Sequence, residues 1–235
     1  MSLYLLLNIL TIIFPLAFSC HKKIKFCNEL KYYLPAMSLT ALCFIFQDVL
    51  FTRAGIWGFN DEFLQGIYFL NLPLEEFLFF ICIPYACVFT WHVIKLHRPT
   101  FKLTINSQKL LVHILAGSCL IIALLNTDKT YTFSTFLLCA VSIWITHFIF
   151  KETLNTFLPV FIILLIPFLI LNGTLTGSFG QEVVWYNTDE ILGLRILAIP
   201  VEDFFYGFNL LIWNVNLLTF IKVASGKGRF TIPLH

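Results

Sequence analysis

Seven stretches of this chain are apolar over roughly the length that crosses a bilayer, and no other feature restricts the fold as much. A helix needs about 20 mostly apolar residues to span a hydrocarbon core of about 30 Å. The stretches are Ser2–Ser19, Tyr33–Phe51, Leu72–Val93, Lys109–Leu125, Thr132–Phe150, Phe157–Leu171 and Ile196–Ile221, the first and sixth being short. Only 12% of the residues are charged and 59% are hydrophobic, whereas soluble domains carry roughly 25% charged residues. A water-facing surface made from this chain would be largely apolar. That excludes a soluble enzyme and a disordered tail, and a net charge of +2 is too small to indicate a nucleic-acid partner. The expected fold class is all-α, a polytopic membrane protein of seven transmembrane helices.

Positive charge orients such a chain, because cytoplasmic loops collect Lys and Arg. Alternating seven helices puts Lys22, Lys23, Lys25, Lys31, Lys95, Arg98, Lys102, Lys109, Lys151, Lys222, Lys227 and Arg229 on one side. The other side holds only Arg53, Lys129 and Arg195. The N-terminus is therefore expected outside and the C-terminus in the cytoplasm. The first stretch reads as a retained helix, since its bases follow it and no A-x-A-like cleavage site is present. Cys20 and Cys27 fall in a cytoplasmic loop, where thiols stay reduced, while Cys43, Cys82, Cys87, Cys119 and Cys139 lie in helices as small hydrophobes. Neither the cysteines nor His92, His97, His113 and His147 have metal-ligand spacing, so no metal is expected. The lack of G-x-G-x-x-G leaves no evident dinucleotide cofactor site.

The chain also repeats itself. An offset of 127 residues superimposes Phe59 on Tyr186, Asn60 on Asn187, Glu62 on Asp189 and Gly66 on Gly193. It continues with Pro73 on Pro200, Glu75 on Glu202, Glu76 on Asp203 and Phe77 on Phe204. Helices one to three then match helices five to seven, with helix four as connector, giving segments 1–95, 96–130 and 131–235. An even number of helices separates equivalent starts, so the two three-helix repeats are expected to be parallel, related by an axis along the membrane normal.

Ionisable groups within hydrocarbon cost several kcal/mol and are functional hypotheses by default. Asp48, Glu75, Glu76, Glu202 and Asp203 lie within the apolar stretches, four of them as matched pairs. In hydrocarbon the ionised carboxylate is disfavoured, and a second beside it more so. One carboxyl can then hold a proton while another accepts one. Adjacent helical residues point about 100° apart, so in each pair one acid can face a cavity and the other a neighbouring helix. The competing reading is structural, with acids satisfied by Asn, Tyr or backbone groups. Pro73 and Pro200 read as residues that start a helix.

Glu202, Tyr206, Asn209, Trp213 and Asn216 form a polar stripe down helix seven, where the asparagines equally suit interhelical hydrogen bonding. Asp48 and Asn172 match across the repeat only with a gap of three residues. Arg195 lies seven residues before Glu202, two turns away if helical, as a field on that acid or an interfacial anchor. Trp57, Trp185 and Tyr186 read as an aromatic belt at helix ends.

The motifs Leu72-Pro73-Leu74-Glu75-Glu76-Phe77-Leu78-Phe79-Phe80 and Ile199-Pro200-Val201-Glu202-Asp203-Phe204-Phe205-Tyr206 resemble the signature of the integral-membrane, flavin-independent lycopene cyclases. The loops Gly55-Ile56-Trp57-Gly58-Phe59-Asn60 and Leu175-Thr176-Gly177 with Trp185-Tyr186-Asn187 resemble that family's loop motifs. In the family the halves occur as separate bacterial subunits or fused, as in the cyclase part of fungal bifunctional enzymes, and this chain looks like the fused form. The resemblance implies a lycopene β-cyclase of a bacterial inner membrane, catalysing non-redox closure of lycopene ψ ends to β rings without a cofactor. Glu75 and Glu202 would lead, Glu76 and Asp203 would partner them, and Asp48, Phe59, Asn60, Pro73, Phe80, Asn172, Tyr186, Asn187, Arg195, Pro200 and Tyr206 would support. The implied partners are the polyene lycopene, the lipid bilayer and further copies of the chain or other carotenoid enzymes. Two alternatives stay open at this point: a proton-coupled transporter on the SWEET plan, and a non-catalytic carotenoid-binding subunit.

Overall fold

The computed structural model describes residues 1–227, apart from the side chains of 105–107. Within it are seven α-helices: α1 (Leu3–Phe18), α2 (Leu30–Arg53), α3 (Leu74–His97), α4 (Ile105–Leu125), α5 (Thr130–Ile149), α6 (Lys151–Leu175) and α7 (Val201–Ala224). Six of them are long and apolar enough to cross a membrane, whereas α1 has 16 residues. The sixth stretch, short when judged by apolar residues alone, is a helix of 25 residues, because Glu152, Asn155, Thr156 and Asn172 are carried inside it.

Helices three and seven begin later than the apolar pattern implies. The residues before them form short strands: β1 (Trp57–Phe59), β2 (Tyr68–Phe69), β3 (Leu72–Pro73), β4 (Val184–Tyr186), β5 (Arg195–Ile196) and β6 (Ile199–Pro200). β2 pairs with β3 and β5 with β6 as two tight hairpins. Pro73 and Pro200 then act as N-caps with extended backbone, a position where the missing N–H costs nothing. Arg195 is consequently on a hairpin and not two helical turns above Glu202. It is exposed, and donates to the Ala198 carbonyl.

β1 and β4 pair antiparallel, with Trp57 opposite Tyr186, Gly58 opposite Trp185 and Phe59 opposite Val184. The centre of this register joins Gly58 to its counterpart at the 127-residue offset. A Cβ on Gly58 would lie 2.3 Å from the Trp185 ring, so any larger residue there would have to displace that ring. On this same end Lys129 Nζ donates to the Ile191 carbonyl. At the opposite end Lys222 pairs with Glu29 and Lys102 with Glu152, and Cys20 is joined to Cys27 by a disulfide. That bond departs from the expectation of free thiols, because the Cys27 amide donates to the Ser19 carbonyl and draws the two Cα atoms to 5.1 Å.

α3 and α7 pack against each other at the centre. α1 lies along α3 and α5 along α7, while α2 lies along α7, and α4 covers α5. The polar stripe of α7 meets α5: Asn209 donates to the Thr135 carbonyl, Trp213 to Ser142 and Asn216 to Thr146. These asparagines and Trp213 therefore join helices.

Candidate active site

The four paired acids fall in the first turns of α3 and α7, where the helix dipole favours negative charge. Being adjacent, the members of each pair diverge. Glu75 faces α1: its Oε1 accepts from Ser2 Oγ at 2.7 Å and from the Gln65 N–H at 2.7 Å. Glu202 faces α5, accepting from Thr132 Oγ1 at 2.6 Å and from the Leu192 N–H at 2.7 Å. Gln65 and Leu192 are themselves 127 residues apart. Both glutamates are fully buried, and each ties a loop to the start of a helix.

Glu76 and Asp203 face inward, onto one shared cavity of about 290 Å³. Tyr4 donates its hydroxyl to Glu76 Oε2 at 2.6 Å. Asp203 accepts from three donors: Tyr131 at 2.7 Å on Oδ1, and Tyr186 at 2.8 Å and Asn172 at 2.7 Å on Oδ2. Asp48 enters from α2, accepting from the Tyr206 hydroxyl at 2.7 Å and lying within hydrogen-bonding reach of the Glu76 carboxyl. Tyr186 sits on β4, and burial pushes its phenol well above the ordinary range, which keeps it a donor to Asp203.

The cavity is a slot lying mainly between α3 and α6. Glu76, Ile83, Cys87 and Thr90 line it from one face of α3, and Phe161, Leu164, Phe168 and Leu175 from one face of α6. Glu76 to Thr90 and Phe161 to Leu175 each span 14 residues, about 21 Å at 1.5 Å rise per residue. The acids occupy one end of this slot. There the rings of Trp57, Tyr131, Tyr186 and Tyr206 gather, with centroid distances from Trp57 of 4.9, 6.3 and 6.1 Å to the three tyrosines. No Lys, Arg or His appears among the described residues lining the slot. Carboxyl groups that hold a proton in an apolar slot, beside ring faces that attract cations, can give a proton to a substrate carbon and take one back while excluding water.

Of the residues singled out in the sequence, Asp48, Phe59, Glu76, Asn172, Tyr186, Asp203 and Tyr206 line this slot. Glu75 and Glu202 do not. Asn60 and Asn187 cap short turns in the loops, accepting from the Glu62 and Asp189 amides. Phe80 is buried in a cluster with Ala41, Phe44 and Leu210, and Pro73 and Pro200 start their helices. Three aromatic residues at the acid end of the slot are additions. Trp57 is 6% exposed and so faces the interior and not an interfacial belt, whereas Trp185 is 40% exposed. Tyr4 and Tyr131 carry the repeat's own signal, since they too are 127 residues apart.

A family model described as lycopene cyclase matches residues 1–94 and 128–221. The two matched stretches begin 127 residues apart. No curated protein and no solved structure shows a significant match.

Proposed function

The chain belongs to the lycopene cyclase family, a family of cyclising enzymes, and on that premise we propose that it converts the linear ψ ends of lycopene to β-ionone rings by acid–base chemistry in the slot. The carrying observation is that the inward members of both acid pairs, Glu76 and Asp203, meet in one apolar cavity together with Asp48. Protonation of the terminal double bond makes a tertiary carbocation, the next double bond closes on it, and loss of one ring proton ends the reaction. The proton count is unchanged and no electrons are exchanged. What the chain supplies is a carboxyl to give the proton, a carboxylate to remove one, phenols that fix both, and a lining that keeps water from the cation. Glu75 and Glu202 act as positioning residues in this reading, holding the loops that carry the hydrogen-bonding network.

The protein is taken to lie in a bacterial inner membrane with its base-rich end in the cytoplasm, so that the acids sit near the outer face. Residues 1–95 and 131–235 are taken as two parallel repeats about an axis along the membrane normal, with 96–130 as connector. The symmetric β1–β4 register and the repeated Gln65 and Leu192 bonds support this arrangement. Lycopene reaches the slot from the bilayer, which dissolves it.

The test is expression of the full chain in a lycopene-producing bacterium, followed by chromatography of the pigments. Loss of lycopene with appearance of monocyclic and bicyclic carotenes is expected. Unchanged lycopene, with the protein inserted in the membrane, would overturn the reading.

A further inference from the structure

Resting on the ring-closure reading, we propose that the acid and base roles are divided between the halves: the Asp48–Glu76 carboxyl pair delivers the proton that starts ring closure, and Asp203 removes the proton that ends it.

The three carboxyls of the slot do not have equivalent surroundings. Asp203 is met by three donors, the phenols of Tyr131 and Tyr186 and the Asn172 amide, and among the described residues it hydrogen-bonds to no second carboxyl. Donors converging on both oxygens favour the ionised form. Asp48 and Glu76 receive one phenol each, from Tyr206 and Tyr4, and face each other within hydrogen-bonding reach. Two carboxyls can hydrogen-bond only if a proton stands between them, and no cationic side chain among the described lining residues substitutes for it. The asymmetry comes from the sequence: the 127-residue offset puts Leu175, and the gapped match Asn172, where the first half has Asp48. An acid in one half is answered by an amide in the other, so the pair stores a proton and the single aspartate has room for one.

The step balances. The pair transfers H⁺ to the terminal C=C carbon, and the positive charge appears on the adjacent carbon that bears two methyl groups. The neighbouring C=C supplies the electrons of the new ring C–C bond, moving the charge onto a ring carbon. Asp203 takes a proton from the carbon beside it, and those C–H electrons become the ring double bond. The pair is then one proton short and Asp203 one proton richer, and exchange with solvent after product release restores both.

The test uses full-length variants in membranes of lycopene-producing cells, with inserted protein quantified and products separated by ring type. Asp48→Asn and Glu76→Gln are each expected to slow lycopene consumption by on the order of 100-fold or more, and Asp48→Glu to recover part of it. Asp203→Asn is expected to keep consuming lycopene while its rings lose fidelity, with displaced double bonds or a hydroxyl from water capture. If Asp48→Asn does not insert, Tyr206→Phe gives the same reading, slower consumption with unchanged ring type, while Tyr186→Phe shifts ring type. Scrambled rings from the Asp48 variant, clean β rings from the Asp203 variant, or equal loss in all with no change of product would overturn the division. A wild-type chain that closes no ring overturns the family reading with it. A wild-type chain that closes rings while its variants depart from this pattern overturns the division alone.

Discussion

Glu75 and Glu202 use one carboxyl oxygen each to hold a backbone N–H and a side-chain hydroxyl, while their Oε2 atoms have no hydrogen-bond partner among the described residues. A glutamine keeps the accepting oxygen, so Glu75→Gln and Glu202→Gln are expected to lower the yield of folded protein while leaving turnover per folded molecule close to wild type. Alanine removes both bonds and leaves the Gln65 or Leu192 amide unsatisfied, at a cost of about 1–3 kcal/mol. Thermal loss of membrane-extracted protein, read beside turnover, separates the two effects. A Glu75→Gln protein that is fully stable yet inactive would show that this acid takes part in the chemistry. The sequence makes the four acids conspicuous but cannot rank them, because adjacent residues point about 100° apart and the ranking depends on where α1, α5 and α6 lie. Trp57 was hidden for a related reason: near a helix end it reads as a belt residue until β1 pairs with β4 and turns it inward.

Pairs of elements explain why there is one slot where a repeat would allow two. By the offset, the α2–α7 contact is the counterpart of the α6–α3 contact. α2 lies closely along α7, whereas the slot runs between α3 and α6. On the closed side Phe80 fills the interface with Ala41, Phe44 and Leu210. Its counterpart at the offset is Gly207, which lines the slot and would bring an added Cβ to 3.6 Å from the Phe168 ring. That is ordinary contact, so Gly207→Ala is expected to behave nearly as wild type. Gly207→Leu pushes bulk against Phe168 and narrows the slot, and is expected to abolish retention of lycopene by detergent-extracted protein while the protein still inserts. Retention at the wild-type level would place the substrate elsewhere. At this scale the helices were legible from apolar runs, but the hairpins before α3 and α7 were not. Their strands are only two residues long, too short for any alternation to mark them. The Cys20–Cys27 bond lies at the base-rich end. If that end is cytoplasmic, the thiols are kept reduced in cells, and alkylation before lysis is expected to label both. Protection from alkylation would argue for the opposite orientation.

For the molecule as a whole, the consequence of a shared slot is that neither half is complete. Residues 1–95 bring Tyr4, Asp48, Trp57 and Glu76, and residues 131–227 bring Tyr131, Asn172, Tyr186, Asp203 and Tyr206. Fragments 1–100 and 101–235 are expected to be inactive when expressed singly and to regain cyclisation when expressed together, since α1 packs on α3 within one fragment and α4 and α5 within the other. Activity from either fragment alone would mean that the slot is not the site. The slot also has its acids at one end only, and in the proposed reaction Glu76 and Asp203 serve a single reacting centre. A symmetrical polyene can therefore present one terminus at a time, and closing the second requires the half-finished product to leave and return reversed. With lycopene in excess, the monocyclic carotene is expected to accumulate first, with the bicyclic product following after a lag that lengthens as the lycopene-to-protein ratio rises. Bicyclic product formed without that lag would require a second reacting centre, and the position that the 127-residue offset relates to the slot, between α2 and α7, is closed by Phe80.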